Sequence, residues 1–398
     1  MTADRRSFLA SLGAAATGVV LARADARAAV PSTETPGANS ASRALVLSGG
    51  GARGAYQGGL ICALAERGGI ADGHPLRPYE LVCGTSIGAI NAWFVATGNY
   101  SALRRAWSSV ASEHIVELKR PYNVLTHPHR FVGEKVYAAV KLALGITKHE
   151  KGIARAEPVL DWMAKHMDPR SPVVTPMVWA VTNLTTQLPE YFYRLPPSFG
   201  GKIPEPIERA FRVTLGEHVV VREASDAELH RTLLASAAVP IVFDPVMLKM
   251  ADGTQGAYVD GAVGSDAAVA IARTVARNVD IVLVDTPGGR STYDNAIAVA
   301  MGAYATMQRE ILESAMRDAY LQSLGRREFA SRPLSAKART PDDLATLQTI
   351  LREVPAADLA YVRPEVNLPA DFMAFDRQTL IDQTFAIGEK DAERGFTA

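Results

Sequence analysis

A serine between two glycines is the first group in this chain that could act as a nucleophile. The run Gly84-Thr85-Ser86-Ile87-Gly88 follows a short apolar stretch and opens a helical pattern. Glycines on both sides let the backbone make a sharp, strained turn that exposes the serine hydroxyl at the helix N-terminus. The string also arises by chance, but its position between strand and helix favours catalysis. We therefore interpret Ser86 as a candidate nucleophile, with Gly84 and Gly88 supporting its turn.

A glycine-rich run upstream could stabilise the negative charge that such a nucleophile creates. Gly49-Gly50-Gly51-Ala52-Arg53-Gly54 follows an apolar stretch and opens another helix. Free backbone N–H groups at the positive end of a helix dipole bind a phosphate or the oxyanion of an acyl-transfer intermediate. The run also fits the dinucleotide fingerprint G-x-G-x-x-G, which expects an acidic residue at the end of the next strand. Cys83-Gly84 stands there instead, which disfavours a dinucleotide-binding oxidoreductase.

The positions of the histidines argue against a histidine base. The chain has eight histidines, and none of them follows His230. A triad of the α/β-hydrolase type needs a late histidine that comes after its acid. His218 and His230 could serve only if an acid such as Asp161 came first, and neither ends a clear strand. We therefore expect a base other than histidine.

An aspartate at the end of a later strand is the alternative base. In Tyr258-Val259-Asp260-Gly261-Ala262 the carboxylate follows a strand, so we expect it at the same edge of the sheet as Ser86. An ordinary aspartate, with a pKa of about 3.9, is a weak base for a hydroxyl. A dry site and a short hydrogen bond to the serine would have to raise its basicity. Alternatively, Asp260 only caps the turn before Gly261.

Alternating strands and helices must position these groups. Short apolar runs predict strands, and apolar residues at helical spacing predict the helices between them. The predicted strands are 43–48, 79–83, 177–184, 256–260 and 280–285, and the predicted helices are 55–67, 87–97, 229–238 and 267–278. After Asn295 the pattern is mostly helical. This alternation indicates an α/β sandwich with a mainly parallel sheet.

Composition excludes several other classes of protein. The 398 residues are 48% hydrophobic and 21% charged, which is typical of a globular protein with a large core. The 42 Lys and Arg balance the 42 Asp and Glu, so we expect no nucleic-acid partner. Only two cysteines are present, Cys62 and Cys83, and we expect them to be buried free thiols. No metal-ligand motif or calcium loop is found, so we expect neither metal nor cofactor.

Residues 1–28 have the pattern of a signal peptide. Arg5-Arg6 precedes an uncharged stretch from Phe8 to Leu21, and Ala26-Arg27-Ala28 offers a cleavage site. The paired arginines resemble a twin-arginine signal, which implies export of a folded protein. Residues 29–42 are polar and are typical of a linker. We therefore expect an exported protein, periplasmic or secreted.

Together, the glycine loop, the serine turn and Asp260-Gly261-Ala262 resemble the patatin-like phospholipases. The resemblance spans residues 44–273, includes a helix-to-proline segment at 235–240, and has weaker echoes at 375–376 and 387–388. It implies a three-layer sandwich with a Ser86–Asp260 dyad. The residues it implies for the oxyanion hole are Gly49, Gly50 and Gly51. Arg53 would fix the loop or an anionic substrate, and the supporting glycines are Gly54, Gly84, Gly88 and Gly261.

The resemblance also implies the domain organisation and the activity. Residues 43–273 would form the catalytic domain, and residues 274–398 the last core strand and a mostly helical C-terminal extension packed on it. The implied activity is that of a calcium-independent serine lipid acyl hydrolase, similar to a phospholipase A. A carboxylesterase or thioesterase for small esters, and a catalytically silent lipid-binding protein, remain open. The sequence does not distinguish hydrolysis from acyl transfer or indicate an oligomeric state.

A basic segment could bring the protein to a lipid surface. Residues 118–155 contain eight Lys or Arg and two Glu, with an amphipathic stretch at 136–146. Basic amphipathic helices can lie on anionic membranes. We expect either a lid or docking face over a lipid site, or a surface helix that packs on the domain.

Overall fold

A nine-stranded sheet with helices on both faces forms the centre of this computed structural model. It describes residues 42–113, 115–119, 152–212, 219–264, 267–286, 296–330 and 357–396, which all belong to one compact unit, Ala41–Ala398. The signal peptide 1–28, nearly all of the linker 29–42 and the amphipathic stretch 136–146 lie outside the described residues. None of the described helices has the length and apolar character needed to cross a membrane.

The main sheet is mixed but mostly parallel. In chain order the strands are β1 (Arg43–Leu47), β2 (Tyr79–Gly84), β3 (Glu117–Leu118), β4 (Gly152–Arg155), β5 (Met177–Asn183), β6 (Leu188–Arg194), β7 (Val220–Glu223), β8 (Ile241–Phe243), β9 (Val246–Lys249), β10 (Gln255–Asp260), β11 (Asn278–Val282) and β12 (Asp358–Val362). Nine of these strands form the main sheet, in the order β12-β11-β1-β2-β5-β10-β9, with β6 beside β5 and β7 beside β6. The other three, β3, β4 and β8, pair with one another. The strands from β12 to β5 in this order run parallel, whereas β10 and β6 are antiparallel to β5. The predicted α/β class with a mainly parallel sheet is confirmed.

Helices cover both faces of this sheet. In chain order they are α1 (Gly54–Arg67), α2 (Ile87–Ala96), α3 (Tyr100–Ser109), α4 (Glu157–His166), α5 (Glu205–Ala210), α6 (Leu229–Ala237), α7 (Ala267–Val275), α8 (Ala296–Ala330) and α9 (Gln378–Asp391). Successive side chains of a strand point to opposite faces, so β1 buries Leu45 and Leu47 among α1, α2, α3, α4, α6 and α9. Ala44 and Val46 face α5, α7 and the middle of α8. The result is the expected three-layer sandwich.

The predicted elements occur with shifted ends, and one strand was missed. The helix predicted at 267–278 ends at Val275, because Asn278 already pairs with Arg43 at the start of β11. β12 is not predicted, although it pairs in parallel with β11 along its whole length. The expectation that β11 is the last strand of the core is therefore wrong. β12 is a half-buried edge strand with a mixed sequence, DLAYV, which carries no clear alternation.

Two strands that run in opposite directions end against the same stretch of β5. β6 occupies one edge of β5 from Met177 to Asn183, so β2 and β10 share the other edge. Gly84, the last residue of β2, lies opposite Trp179, and Asp260, the last residue of β10, lies opposite Val181. The two strands therefore meet end to end, with their C-terminal ends facing each other. This corrects the expectation that Asp260 and the Ser86 turn lie at the same edge of the sheet, because the two strand ends meet within it, along β5.

The C-terminal helix closes the first face. α9 packs along α1, where Gly388 lies directly against the Tyr56 backbone. The Tyr56 hydroxyl donates a buried hydrogen bond of 2.9 Å to Asp391 Oδ2. Cys62 of α1 and Cys83 of β2 are both buried, as expected. Residues beyond the 44–273 resemblance, including Gly388 of the weaker resemblance at 387–388, thus hold the helix that follows the glycine loop.

Candidate active site

Ser86 lies in the strained turn between β2 and α2. Its backbone has φ 57 and ψ −132, a conformation that a residue with a side chain adopts only at a free-energy cost of about 1–3 kcal/mol. Gly88 makes the turn possible, because a Cβ atom there would overlap the carbonyl oxygens of Leu47 and Ser48. Gly84, at the end of β2, packs against the first turn of α2 in the same way. Ser86 therefore lies at the N-terminus of a fully buried helix, where the helix dipole favours negative charge.

The glycine loop runs beside this turn. A Cβ atom on Gly49 would lie 3.1 Å from the Cβ of Ser86. Gly51 has a left-handed φ of 58, and its Cα faces the carbonyl oxygen of Phe372. Within the described residues the loop's backbone hydrogen bonds come from Ser48 and Ala52, and the N–H groups of Gly49, Gly50 and Gly51 donate to no backbone group. An oxyanion hole requires N–H groups that the backbone does not engage, so these three remain its candidates.

A carbonyl from the C-terminal part of the chain holds the end of the loop. The Ala52 N–H donates to the Phe372 carbonyl oxygen over 3.0 Å. The guanidinium carbon of Arg53 lies 5.9 Å from the centre of the Phe372 ring, and Gly54 packs against Ile87 of α2. Arg53 is thus placed to fix the loop, one of the two roles that the resemblance implies.

The end of α6 ties the serine turn to the aspartate strand. The Ser86 N–H donates to the buried Oγ of Ser236 over 3.0 Å. Two residues further on, the Ala238 carbonyl accepts from the Asp260 N–H over 2.9 Å. One short segment therefore fixes the backbones of both candidate catalytic residues. In the sequence this segment is visible only as the 235–240 resemblance, which assigns it no contact.

Asp260 is completely shielded from solvent at the end of β10, with 0% of its surface exposed. Its Oδ1 accepts from the Ala262 N–H over 2.9 Å, and Gly261 packs against the backbone of Ala180. Burial raises the pKa of Asp260 to about 7, although the hydroxyls of Ser86 and Tyr304 and the Ala262 N–H act to lower it. Among the described residues Oδ2 has no hydrogen-bond partner of ordinary geometry. A carboxylate with this pKa is a much stronger base than an exposed aspartate.

Two polar side chains of α8 complete the surroundings of Ser86 and Asp260, and the sequence analysis does not identify either. The Tyr304 hydroxyl faces Asp260. It stays protonated and uncharged, because burial and the nearby carboxylate hold its pKa well above the usual range. Gln308, 9% exposed, lies beside Gly49 and Ser86. The only sequence signal that could have identified them is their spacing of four residues, which places both on one face of a helix. Many helices have two polar residues at this spacing, so the signal is not specific.

An apolar cavity of ≈ 50 Å³ opens beside Ser86. Its walls come from both the N-terminal and the C-terminal parts of the chain, and the larger side chains are Trp107, Trp162, Phe243, Phe372, Met373 and Phe375. Phe375 lies in one of the two segments, 375–376, that resemble the family more weakly. Pockets of this kind, apolar with a few polar groups at one end, are typical of sites for apolar ligands.

The histidines that the structure describes lie elsewhere. His166 pairs with Glu113 over 2.9 Å, and His230 lies 2.7 Å from the Met167 carbonyl oxygen. His74 is exposed, whereas His218 lies outside the described residues. Within the described ranges no three His, Cys, Asp or Glu side chains cluster in a way that could hold a metal ion.

Comparison with known proteins identifies a family for the region that carries the site. A family model described as patatin-like phospholipase matches residues 45–273. Among solved structures, the crystal structure of VipD from Legionella pneumophila is similar, with 15% identity, coverage of 89% of this chain and 67% of that chain, and a TM-score of 0.32. No curated protein matches the chain. The family match ends before α8, β12 and α9.

Proposed function

Because this chain belongs to the patatin-like phospholipase family, we propose that it is a serine lipid acyl hydrolase with a Ser86–Asp260 dyad. Membership supports lipid hydrolysis at the level of the family. The residue roles, the ester cleaved and the acyl acceptor are the proposal. Its main support is Asp260, a fully buried carboxylate whose strand ends facing the Ser86 turn.

Ester cleavage would begin with attack by Ser86. The Asp260 carboxylate takes the hydroxyl proton while Oγ bonds to the ester carbonyl carbon, and the carbonyl electron pair moves onto oxygen. The N–H groups of Gly49, Gly50 and Gly51, together with the positive end of α2, stabilise this oxyanion. When the carbonyl re-forms, the alcohol leaves with the proton that Asp260 carried, and the acyl group stays on Ser86.

Hydrolysis of the acyl-serine reverses the same proton movements. Asp260 takes a proton from water as the water oxygen bonds to the acyl carbon, and the glycine N–H groups hold the second oxyanion. Its collapse breaks the bond to Oγ, which recovers the proton from Asp260, and a free fatty acid is released. A pKa of about 7 suits both steps, because Asp260 must accept and return a proton near neutral pH.

The cavity supports an apolar acyl group as the part of the substrate next to Ser86. Its lining is almost wholly aromatic and aliphatic, which disfavours a polar acid such as a short dicarboxylate. A volume of ≈ 50 Å³ is well below the roughly 150 Å³ of a cavity that holds benzene, so a long chain needs the walls to open. A small-ester carboxylesterase or thioesterase is the second candidate, and this small volume is the observation that favours it.

Rates on p-nitrophenyl esters of increasing acyl length, with EDTA present, test the proposal. We expect turnover that rises toward long chains and falls by at least about 10³-fold in Ser86→Ala. Ser112→Ala, an exposed serine, is the matched control and keeps the wild-type rate. Turnover on short chains alone, lost in Ser86→Ala, would identify the small-ester enzyme. No turnover on any ester, either in solution or in mixed micelles, would identify a silent lipid-binding protein.

Export and membrane contact belong to the same proposal. A twin-arginine-like signal in residues 1–28 would deliver the folded enzyme outside the cytoplasm, and the basic segment 118–155 would meet anionic lipid. Replacement of Arg5 and Arg6 by lysine should retain the protein in the cytoplasmic fraction. Charge reversal at Lys135, Lys141 and Lys148 should lower activity on anionic vesicles but not on a soluble ester, and equal losses on both would contradict lipid docking.

A further inference from the structure

The site receives two polar side chains from a helix that the family match does not cover. α8 begins at Ala296, whereas the match ends at residue 273. The middle of α8 packs with Leu312 and Ala319 on the second face of the sheet. Its first turns reach the other face, where Met301 is buried and Tyr304 packs against that core. A helix that crosses from one face to the other in this way passes the end of β10, where Asp260 lies.

Tyr304 faces the carboxylate of Asp260. Its hydroxyl acts on the aspartate as a hydrogen-bond donor does, since it lowers the pKa of Asp260 against the effect of burial. Neither the Tyr304 hydroxyl nor Asp260 Oδ2 has another hydrogen-bond partner of ordinary geometry among the described residues. Buried polar atoms without partners are strongly disfavoured, so these two groups are each other's available partners.

Gln308 lies one turn further along α8, on the same side. Its amide nitrogen is buried and has no partner of ordinary geometry in the part of the chain that the structure describes, and it lowers the pKa of Tyr304 as a donor to the phenol oxygen does. A Cβ atom on Gly49 would lie 3.3 Å from this nitrogen. The amide therefore stands between the tyrosine hydroxyl and the start of the glycine loop. A donor to the phenol oxygen polarises the O–H and strengthens its own donation.

We propose that Tyr304 and Gln308 are positioning residues for Asp260: the Gln308 amide donates to the Tyr304 hydroxyl, which donates to the Asp260 carboxylate. This rests on the proposed role of Asp260 as base. With Oδ1 held by the Ala262 N–H and the carboxylate also held by Tyr304, rotation of the carboxyl group is restricted. The carboxylate then keeps the orientation in which it receives the Ser86 proton, which is the condition for efficient proton transfer.

A purely structural role for Tyr304 makes a different prediction. The Tyr304 ring meets the Phe372 ring edge-on, with 6.1 Å between centroids and an interplanar angle of 83°. Phenylalanine at position 304 keeps this contact and the buried apolar surface but removes the hydroxyl. If Tyr304 acts only through packing, Tyr304→Phe leaves catalysis unchanged.

The effect on the pH profile has a definite sign. Among the described residues, the groups that act on the Asp260 carboxyl are the Ser86 hydroxyl, the Tyr304 hydroxyl and the Ala262 N–H, and no charged side chain there contributes. A hydroxyl that donates to a carboxylate stabilises its ionised form. Its removal therefore raises the pKa of Asp260, and the acid limb of the activity profile moves to higher pH.

The experiment compares kcat, KM and the acid limb for wild type, Tyr304→Phe and Gln308→Met on one uncharged ester. Tyr320→Phe is the matched control, because it removes a hydroxyl from the same helix at a position that is 47% exposed. We expect Tyr304→Phe to lower kcat by about 3–10-fold, leave KM unchanged and move the acid limb up by about 0.4–1 pH unit. Gln308→Met should give a smaller change in the same direction, and Tyr320→Phe none.

A second readout keeps this inference separate from the proposed activity. The Asp260 carboxyl signal in ¹³C NMR is the aspartate signal that Asp260→Asn removes, and its midpoint can be followed without any substrate. A higher midpoint in Tyr304→Phe, with an unchanged melting temperature, supports positioning even if no ester is cleaved. Equal midpoints in wild type and Tyr304→Phe overturn it, as does a fall in kcat that Tyr320→Phe reproduces.

Discussion

The proposed nucleophile and the proposed base are held in place by opposite means. The turn of Ser86 is formed by its neighbours in the chain, although the distant Ser236 accepts its N–H, and its backbone is strained, with φ 57. Asp260 has an ordinary backbone, φ −44 and ψ 134, but its carboxyl group is cut off from solvent. The strain at Ser86 is conformational, whereas that at Asp260 is electrostatic. A site can thus store unfavourable free energy in two forms that respond differently to mutation and to pH.

Loss of the base should produce the largest change in activity. Asp260→Asn keeps the size of the side chain but removes the proton acceptor, so we expect kcat to fall by about 10²–10⁴-fold. Asp252→Asn, which changes an exposed carboxylate in the turn before β10, should match wild type. Activity in Asp260→Asn within threefold of wild type would show that Ser86 is activated by another group.

Stability should separate the two kinds of strain. Ser86→Gly relieves the backbone and should stabilise the fold by about 1 kcal/mol at pH 4. The gain should be smaller at pH 8, because the lost hydroxyl no longer stabilises the ionised Asp260 carboxylate. The folded-state pKa of Asp260 is raised from 3.8 to about 7, so the fold loses stability as the pH rises through that window. Asp260→Asn avoids the loss and should be more stable than wild type by about 2–4 kcal/mol at pH 8 but not at pH 4.

Thermal or urea unfolding at pH 4 and pH 8 measures this difference. If Ser86→Gly stabilises the protein only at pH 8, or Asp260→Asn equally at both, the assignment of strain to backbone and charge is wrong. Ser112→Gly provides a control for glycine at an exposed, unstrained position.

Substitutions of glycine by alanine test whether the proposed oxyanion hole depends on the left-handed backbone of Gly51 or on the lack of space around it. Gly51 and Gly69 both have a left-handed backbone, with φ 58 and 62, but only at Gly51 would a Cβ atom meet the Phe372 carbonyl. Alanine should lower stability by about 1 kcal/mol at Gly69, and by more at Gly51, where the Cβ must also displace the Phe372 carbonyl. Only Gly51→Ala should also lower kcat, by about 10²-fold. Equal activities would mean that the loop adapts without losing its N–H groups.

The smallest effect expected is the wild-type pH dependence. Asp260 must be ionised to act, so kcat/KM on a neutral ester should fall about tenfold per pH unit below 7. An exposed aspartate as base would keep the rate flat down to about pH 5. A flat profile would therefore place the base in a solvated environment, unlike that of Asp260.

The contrast between Ser86 and Asp260 also explains what the sequence could predict. The Ser86 turn and the glycine loop each lie within one strand–loop–helix unit, and their glycines report local geometry. Asp260 could be named from its strand end, but its approach to Ser86 depends on the pairing of β2 and β10 along β5, which no local pattern encodes. Tyr304 and Gln308 depend on the path of a helix of 35 residues, and β12 on an edge pairing with little alternation.

The hydrogen bond from Ala52 to Phe372 has a consequence for synthesis. A ribosome makes the glycine loop early and Phe372 hundreds of residues later, about 320 in this chain. A growing chain can therefore carry Ser86 and Asp260 while its oxyanion loop still lacks the carbonyl that holds it. The proposed ester cleavage would therefore require the released polypeptide rather than the nascent one.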